Sequence, residues 1–491
     1  MGIVVAIDAG TTGVRSFAVD ENGAPRGWSY REFPQHFPQP GWVEHDADDI
    51  WAAVVATLAE LVATLDEPVA AIGITNQRET VVVWDRRTGR PLHRALVWQD
   101  RRTGAACDAL RDAGHLDAVR ATTGLVLDPY FSASKLAWLL ADGGVAAGAG
   151  LAFGTVDSWV LWNLTGGAVH GTDPSNASRT LLYDIRARRW SEEMAALFGV
   201  PMSCLPEVVP SSGRLGVTAD ALPVPAGVPV AGIAGDQQAA LFGQACFATG
   251  MTKNTYGTGS FVVMNAGPTC PPPVEGLLTS VAWQLESPAE FTYCLEGAIF
   301  VTGAAIQWLR DGLGLITDAA EMGPLAASVG DNEGVYFVPA LTGLGSPWWD
   351  PYARGTVIGL TRGTGRAHLA RAAVEAMAYQ TRDVVEAMSS VAGAGVSALR
   401  VDGGASVMDL LLQLQADQLQ APVQRPTVQE TTALGAAYLA GLGTGVWSSL
   451  DELSQHWTLE AEFLPKVGSG AANQKHAQWL AAVERSRGWA D

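Results

Sequence analysis

Basic residues are in short supply. The chain carries 31 Lys and Arg against 50 Asp and Glu, a formal net charge of −19. That deficit argues against nucleic acid and anionic membrane as partners, because both are held by basic patches. It leaves room for a small anionic ligand gripped by local N–H groups. Cysteine is also sparse: Cys107, Cys204, Cys246, Cys270 and Cys294 are scattered, odd in number and form no C-x-x-C. A reduced, cytoplasmic setting without a cysteine zinc site is the simplest expectation. The eight histidines form no H-E-x-x-H, and no G-x-x-x-x-G-K-[ST] occurs, so a zinc hydrolase helix and a P-loop are both excluded. No apolar run reaches the length of a membrane span. The apolar start is broken by Asp8 and has no basic segment before it, so no signal peptide is expected.

What is present is an ordered chain of 491 residues, 48% hydrophobic and 16% charged, long enough for roughly two to four domains. Its informative stretch is 232–263. A short apolar strand, Val228–Ala234, leads into Asp236, and Ala239, Phe242 and Cys246 follow at helical spacing. Asp236 therefore stands at a strand-to-helix turn. It reads either as a helix N-cap or as a carboxylate facing an open cleft. Next comes Thr255-Tyr-Gly-Thr-Gly-Ser260, a Gly/Thr hairpin running into the strand Phe261–Met264. Turns of this kind present unblocked backbone N–H groups to anions. The N-terminus carries an echo: the buried strand Ile3–Ile7, the turn Asp8-Ala-Gly-Thr-Thr-Gly13, then Arg15 and the strand Ser16–Val19, with Asn22-Gly23 as a hairpin signal. Two such halves suggest duplicated domains closing on one nucleotide.

Between these landmarks the pattern alternates β and α. Helices are expected at Asp46–Leu65, capped by Asp46 and Asp48, and at Ser134–Leu140, Gly303–Gly312, His368–Met388, Met408–Leu419 and Thr432–Leu442. Strands are expected at Val69–Thr75, Val81–Trp84, Leu399–Asp402 and Val423–Arg425. Pro201–Pro229, rich in proline, glycine and serine, reads as a surface excursion, and the domain boundary falls near Phe247–Lys253. Arg78 and Glu79 sit between two strands, either as a solvated pair or as a donor and an acceptor for a polyol. Trp98 and Tyr130 read as core aromatics or as walls of a small pocket. Gly403-Gly404 after a strand either packs a helix or lets a nucleotide approach bare backbone.

Taken together, Ile7-Asp-Ala-Gly-Thr-Thr12, Thr75-Asn-Gln-Arg-Glu-Thr80, Trp98-Gln-Asp-Arg-Arg-Thr103, Gly235-Asp-Gln-Gln-Ala-Ala-Leu241, Asn254-Thr-Tyr-Gly-Thr-Gly259, Pro347-Trp-Trp-Asp-Pro-Tyr-Ala-Arg354 and Val401-Asp-Gly-Gly-Ala405 resemble the glycerol-phosphorylating branch of the FGGY carbohydrate kinase family. The motifs run in order over nearly the whole chain. The resemblance implies an α/β protein of two ribonuclease H-like (actin/Hsp70-type ATPase) domains with an interdomain active-site cleft. Residues 1–247 would bind glycerol, phosphate and Mg²⁺, and residues 253–491 the nucleotide. It implies ATP-dependent phosphorylation of glycerol to sn-glycerol 3-phosphate by a homo-oligomer, dimer or tetramer. Carried over by motif, Asp236 would be the catalytic base, and Arg78, Glu79, Tyr130, Asp236 and Gln237 would bind glycerol, with Trp98 and Phe261 on its carbon side. Thr11, Thr12, Gly13, Arg15, Thr258, Gly259, Gly303, Gln307 and Gly404 would contact ATP, and Asp8 and Asp236 would hold Mg²⁺. Met408 stands where the family pattern often carries an asparagine reaching the adenine. The 211–227 loop has no histidine to phosphorylate and no Gly-rich basic segment for a sugar bisphosphate. Two other readings stand beside this one. A kinase for another small polyol or a pentulose would use the same fold. A non-catalytic actin-like ATP-binding scaffold would need the Gly/Thr turns but not Asp236 with Arg78 and Glu79.

Overall fold

A computed structural model describes residues 2–286, 290–392 and 395–490. Thirteen strands form one sheet: β1 Ile3–Ala9, β2 Gly13–Val19, β3 Pro25–Glu32, β4 Val69–Asn76, β5 Ser212–Val217, β6 Pro229–Gly235, β7 Thr252–Tyr256, β8 Ser260–Gly267, β9 Leu278–Leu285, β10 Glu290–Ile299, β11 Leu399–Asp402, β12 Val423–Pro426 and β13 Leu459–Phe463. In the first half β1 pairs antiparallel with β2 and β2 with β3, while β1, β4 and β6 run parallel. The second half repeats the scheme: β7, β8 and β10 alternate, and β7, β11 and β12 run parallel. With β5, β9 and β13 set aside and the other five strands of each half counted in chain order, both halves have the order 3-2-1-4-5, the ribonuclease H-like topology of the actin/Hsp70 type. The two halves of the sheet join where Ser212 of β5 pairs with Leu285 of β9. Helices cover both faces, so β1 can be apolar along nearly its whole length.

Most local signals act as expected. The helix α1, Ala47–Val62, starts behind Asp46, whose carboxylate accepts the N–H of Asp48. Asp48 itself lies inside the first turn and caps nothing. The expected helix at Gly303–Gly312 is split: α-helical Gly303–Gln307 passes into a wider π turn at Trp308–Gly312, with the Trp308 indole lying over Gly312. The largest correction is at Pro201–Pro229. It is not all surface excursion, because β5 lies within it and its first residues are buried in the sheet. Glycine hid the strand. Gly443 of a crossing helix comes so near this strand that a Cβ on Gly443 would stand 2.7 Å from the Gly213 nitrogen, while a Cβ on Gly213 itself would run into the Glu286 side chain.

That crossing helix, α3, is Thr431–Thr444. It comes from the second half of the chain but packs its small residues onto the first half. A Cβ on Gly73 of β4 would lie 2.1 Å from the Ala436 carbonyl oxygen, and one on Gly232 of β6 2.5 Å from the Ala440 nitrogen. On its other side α3 meets α2, Asp236–Gly243. There a Cβ on Gly435 would lie 1.8 Å from the carbonyl oxygen of Ala239. Overpacking of this backbone contact should make Gly435→Ala less stable by roughly 1–3 kcal/mol. Urea unfolding monitored by tryptophan fluorescence would read this, and an unchanged midpoint would show that the crossing relaxes freely.

Candidate active site

Asp236 is the first residue of α2, and the N-cap position belongs to Gly235. The side chain is 33% exposed. Its Oδ1 accepts the Gln237 N–H at 2.7 Å and lies 3.2 Å from Nε of Arg78. Gly235 has to be glycine, since a Cβ there would stand 2.6 Å from Cδ of Arg78. Its N–H donates to Oγ of Ser175 at 2.9 Å, and Ser175 in turn donates to the buried carboxylate of Asp173 at 2.8 Å. The turn that presents Asp236 is thus fixed from behind.

Arg78 and Glu79 are 3% and 1% exposed, which rules out a solvated pair on a loop. They belong to a buried ionic network. Arg78 Nη1 donates to Oε2 of Glu296 at 2.6 Å and to Oε1 of Gln238 at 3.0 Å. Arg179 Nε donates to Oε1 of Glu79 at 2.6 Å, and its Nη1 lies 3.4 Å from Oε1 of Glu296. Glu79 has a left-handed backbone, φ 60°, a costly conformation that its ion pairs hold in place. Burial by itself would raise the Glu296 carboxyl, but Arg179 and Arg78 hold it down to about 2. Burial pushes Glu79 up, with Arg179 and Arg78 opposing.

The aromatic wall stands beside this network. The Trp98 and Tyr130 rings meet edge to face with centroids 5.6 Å apart, and the Arg179 guanidinium lies 5.3 Å from the Tyr130 centroid. The Trp98 indole N–H donates to Oγ1 of Thr11 at 3.0 Å, joining the wall to the first Gly/Thr turn. Phe261 is half-buried on β8, paired in register with Thr255 of β7. Gln237 is buried and accepts from Nζ of Lys253.

In the first turn Gly13 lies under the Tyr30 ring, Thr12 Oγ1 bonds the Tyr30 hydroxyl at 3.2 Å, and Arg15 forms an ion pair with Glu430. The second turn is bound to a helix start: Gly303 donates to the Gly257 carbonyl at 3.0 Å and Ala304 to that of Thr258 at 3.0 Å. Gly403, φ 83°, lies so close to Tyr256 that a Cβ would stand 2.5 Å from its carbonyl oxygen. Thr258, Gly259, Gly303 and Gly404 are thereby gathered around one hairpin, and Thr258, Gln307 and Gly404 are exposed. Met408 precedes the helix Asp409–Leu419 and packs partly buried against the second-half core, with Gly323 beneath it.

Asp8 is the last residue but one of β1, paired with Arg15 of β2. Burial raises its carboxyl to about 7; Arg15 opposes this and the nearby Asp236 adds to it. Among the described residues no three His, Cys, Asp or Glu side chains form a metal cage. Mg²⁺ does not need one, because it is commonly held by one or two carboxylates together with substrate phosphates. The crowded Asp8–Asp236 pair fits that donor set.

Sequence reasoning missed Arg179, Glu296, Gln238 and Lys253. Two of them left a signal. Glu296 is a lone acid in the otherwise apolar middle of β10, and Arg179 is a lone cation in the run 171–180 of small, mostly polar residues, all of which are buried. A charge in such a place needs a buried partner.

Residues 3–243 and 252–444 match the models of the N-terminal and C-terminal domains of the FGGY family of carbohydrate kinases. The chain belongs to that family. Within it, the chain is 55% identical to a glycerol kinase of Aromatoleum aromaticum, over 100% of this chain and 99% of the relative, and 53% identical to a glycerol kinase of Dechloromonas aromatica, over 99% and 98%. Among solved structures, Plasmodium falciparum glycerol kinase with ADP superposes with a TM-score of 0.93 at 34% identity, covering 99% of this chain and 98% of that one.

Proposed function

We propose that the protein transfers the γ-phosphoryl group of ATP to glycerol, giving sn-glycerol 3-phosphate and ADP. The observation that carries this is the convergence of Asp236, Arg78, Glu79 and the Trp98–Tyr130 wall beside two phosphate-type turns. Identity above half to glycerol kinases over the full chain supports the same substrate.

Phosphoryl transfer asks the protein for positioning, charge neutralisation and a proton acceptor. Glycerol lies with its carbons against Trp98, Tyr130 and Phe261, and two of its hydroxyls on Arg78, Glu79 and Gln237. A site built to bond hydroxyls rejects analogues lacking them, since its buried polar groups would be left unpaired. Asp236 takes the proton of the terminal hydroxyl as that oxygen forms its bond to the γ-phosphorus. The bond from the γ-phosphorus to the bridging oxygen breaks, and that oxygen leaves on ADP. Thr11, Thr12, Gly13 and Arg15 on one side, and Thr258, Gly259 and Gly303 on the other, hold the phosphates through backbone N–H groups, hydroxyls and the guanidinium. Gln307, Gly404 and Met408 lie on the nucleotide side. Mg²⁺ held at Asp8 and Asp236 would neutralise phosphate charge. Closure of the halves keeps water from the γ-phosphate.

No described helix is long and apolar enough to cross a membrane, and none of the five cysteines is in a disulfide. The reading places the work in the cytoplasm, in a homo-oligomer. ADP release coupled to NADH oxidation, run with glycerol, erythritol, xylulose and glyceraldehyde, tests the substrate. Glycerol should give the highest kcat/KM; faster turnover of xylulose would overturn the assignment.

A further inference from the structure

One buried cation lies in this site and none of the roles above uses it. Lys253 is on β7, the first strand of the second half, and is 0% exposed. Its ammonium donates to Oε1 of Gln237, on α2 of the first half, and to Oγ1 of Thr255 at 2.7 Å, at the entrance to the second Gly/Thr turn. Asp402, Asp236, Arg78 and Glu296 surround it at electrostatic range. A lysine is rarely buried without a task, because desolvating its charge is expensive.

From this geometry we infer that Lys253 is a positioning residue: it pins the amide oxygen of Gln237, so that the amide N–H₂ is presented to a glycerol hydroxyl, and ties that amide to the turn that receives the phosphates. The inference rests on the placement of glycerol at Gln237 proposed above. A primary amide can turn its oxygen or its nitrogen toward the cleft, and only the nitrogen donates. An ammonium can only donate, so it selects the oxygen and leaves the nitrogen for the ligand. Since Lys253 and Thr255 share one strand, a shift of the turn on nucleotide binding is passed to the amide through a single side chain.

The test is a double-mutant cycle on the full-length enzyme, with glycerol KM, ATP KM and kcat measured for K253M, Q237A and the pair. Each single variant should raise glycerol KM about tenfold, with ATP KM changed by less than about threefold. The pair should be no worse than Q237A, because Lys253 then has no amide left to orient. K253R, which keeps a buried cation, should recover part of the loss. If K253M does not accumulate folded by circular dichroism, the same cycle is run with K253Q, whose amide no longer forces the Gln237 oxygen toward it. A pair whose effects multiply, or a K253M or K253Q variant with unchanged glycerol KM beside an impaired Q237A, overturns the inference. An unimpaired Q237A instead overturns the glycerol placement on which it rests.

Discussion

Asp236→Asn should lower kcat by roughly 10²–10⁴-fold with the fold intact. Both contacts that place the carboxylate, from the Gln237 N–H and from Arg78, are made by Oδ1; among the described residues Oδ2 makes none. Asparagine keeps an oxygen for the first pair and the shape of the side chain, so position survives and proton acceptance is lost. The effect should therefore fall on kcat, with glycerol KM moved far less. The coupled ADP assay reads the rate, and a thermal melt within a few degrees of wild type shows that folding is preserved. A near-normal rate would remove Asp236 from the role of base.

Arg78→Ala should fail in two ways at once. Arg78 touches Glu296 and Gln238 directly and stands 3.2 Å from Asp236 and 3.9 Å from Glu79. Without it Glu296 stays buried with Arg179 as its remaining cation. Removing one member of a buried ion pair typically costs about 3–5 kcal/mol, chiefly because the surviving charge is left without compensation. The same change deletes a donor for a glycerol hydroxyl, so glycerol KM should rise markedly. Urea unfolding measures the first effect and steady-state kinetics on the folded fraction the second. A destabilised variant with unchanged glycerol KM would make Arg78 purely structural. Adding Glu296→Gln to Arg78→Ala should recover stability, since the stranded charge is then gone, but not glycerol affinity.

The parts of this molecule legible in its sequence were those set by local chemistry. Ile3–Ala9 and Pro229–Gly235 are apolar runs that only a doubly covered sheet accommodates, and both are strands of it. The Gly/Thr turns announced themselves by spacing, and the duplicated topology followed. Ser212–Val217 escapes a reading by pattern because Gly213 and Gly216 interrupt its apolar alternation, and the helix glycine that lies against it, Gly443, comes more than two hundred residues later. Arg78 next to Glu79 looks like a surface pair in one dimension. Its true surroundings come from Arg179 and Glu296, distant in sequence, and no periodicity encodes that meeting.

The return of Thr431–Thr444 to the first half bears on how the chain is made. Val4, Ala6 and Ala231 share one apolar cluster with Leu434, Ala437 and Tyr438. On the ribosome Val4, Ala6 and Ala231 emerge long before Leu434, Ala437 and Tyr438, so the cluster they share is complete only once the chain has grown past 438. Until then part of the amino-terminal sheet lacks its cover, the kind of transiently exposed apolar surface that chaperones shield.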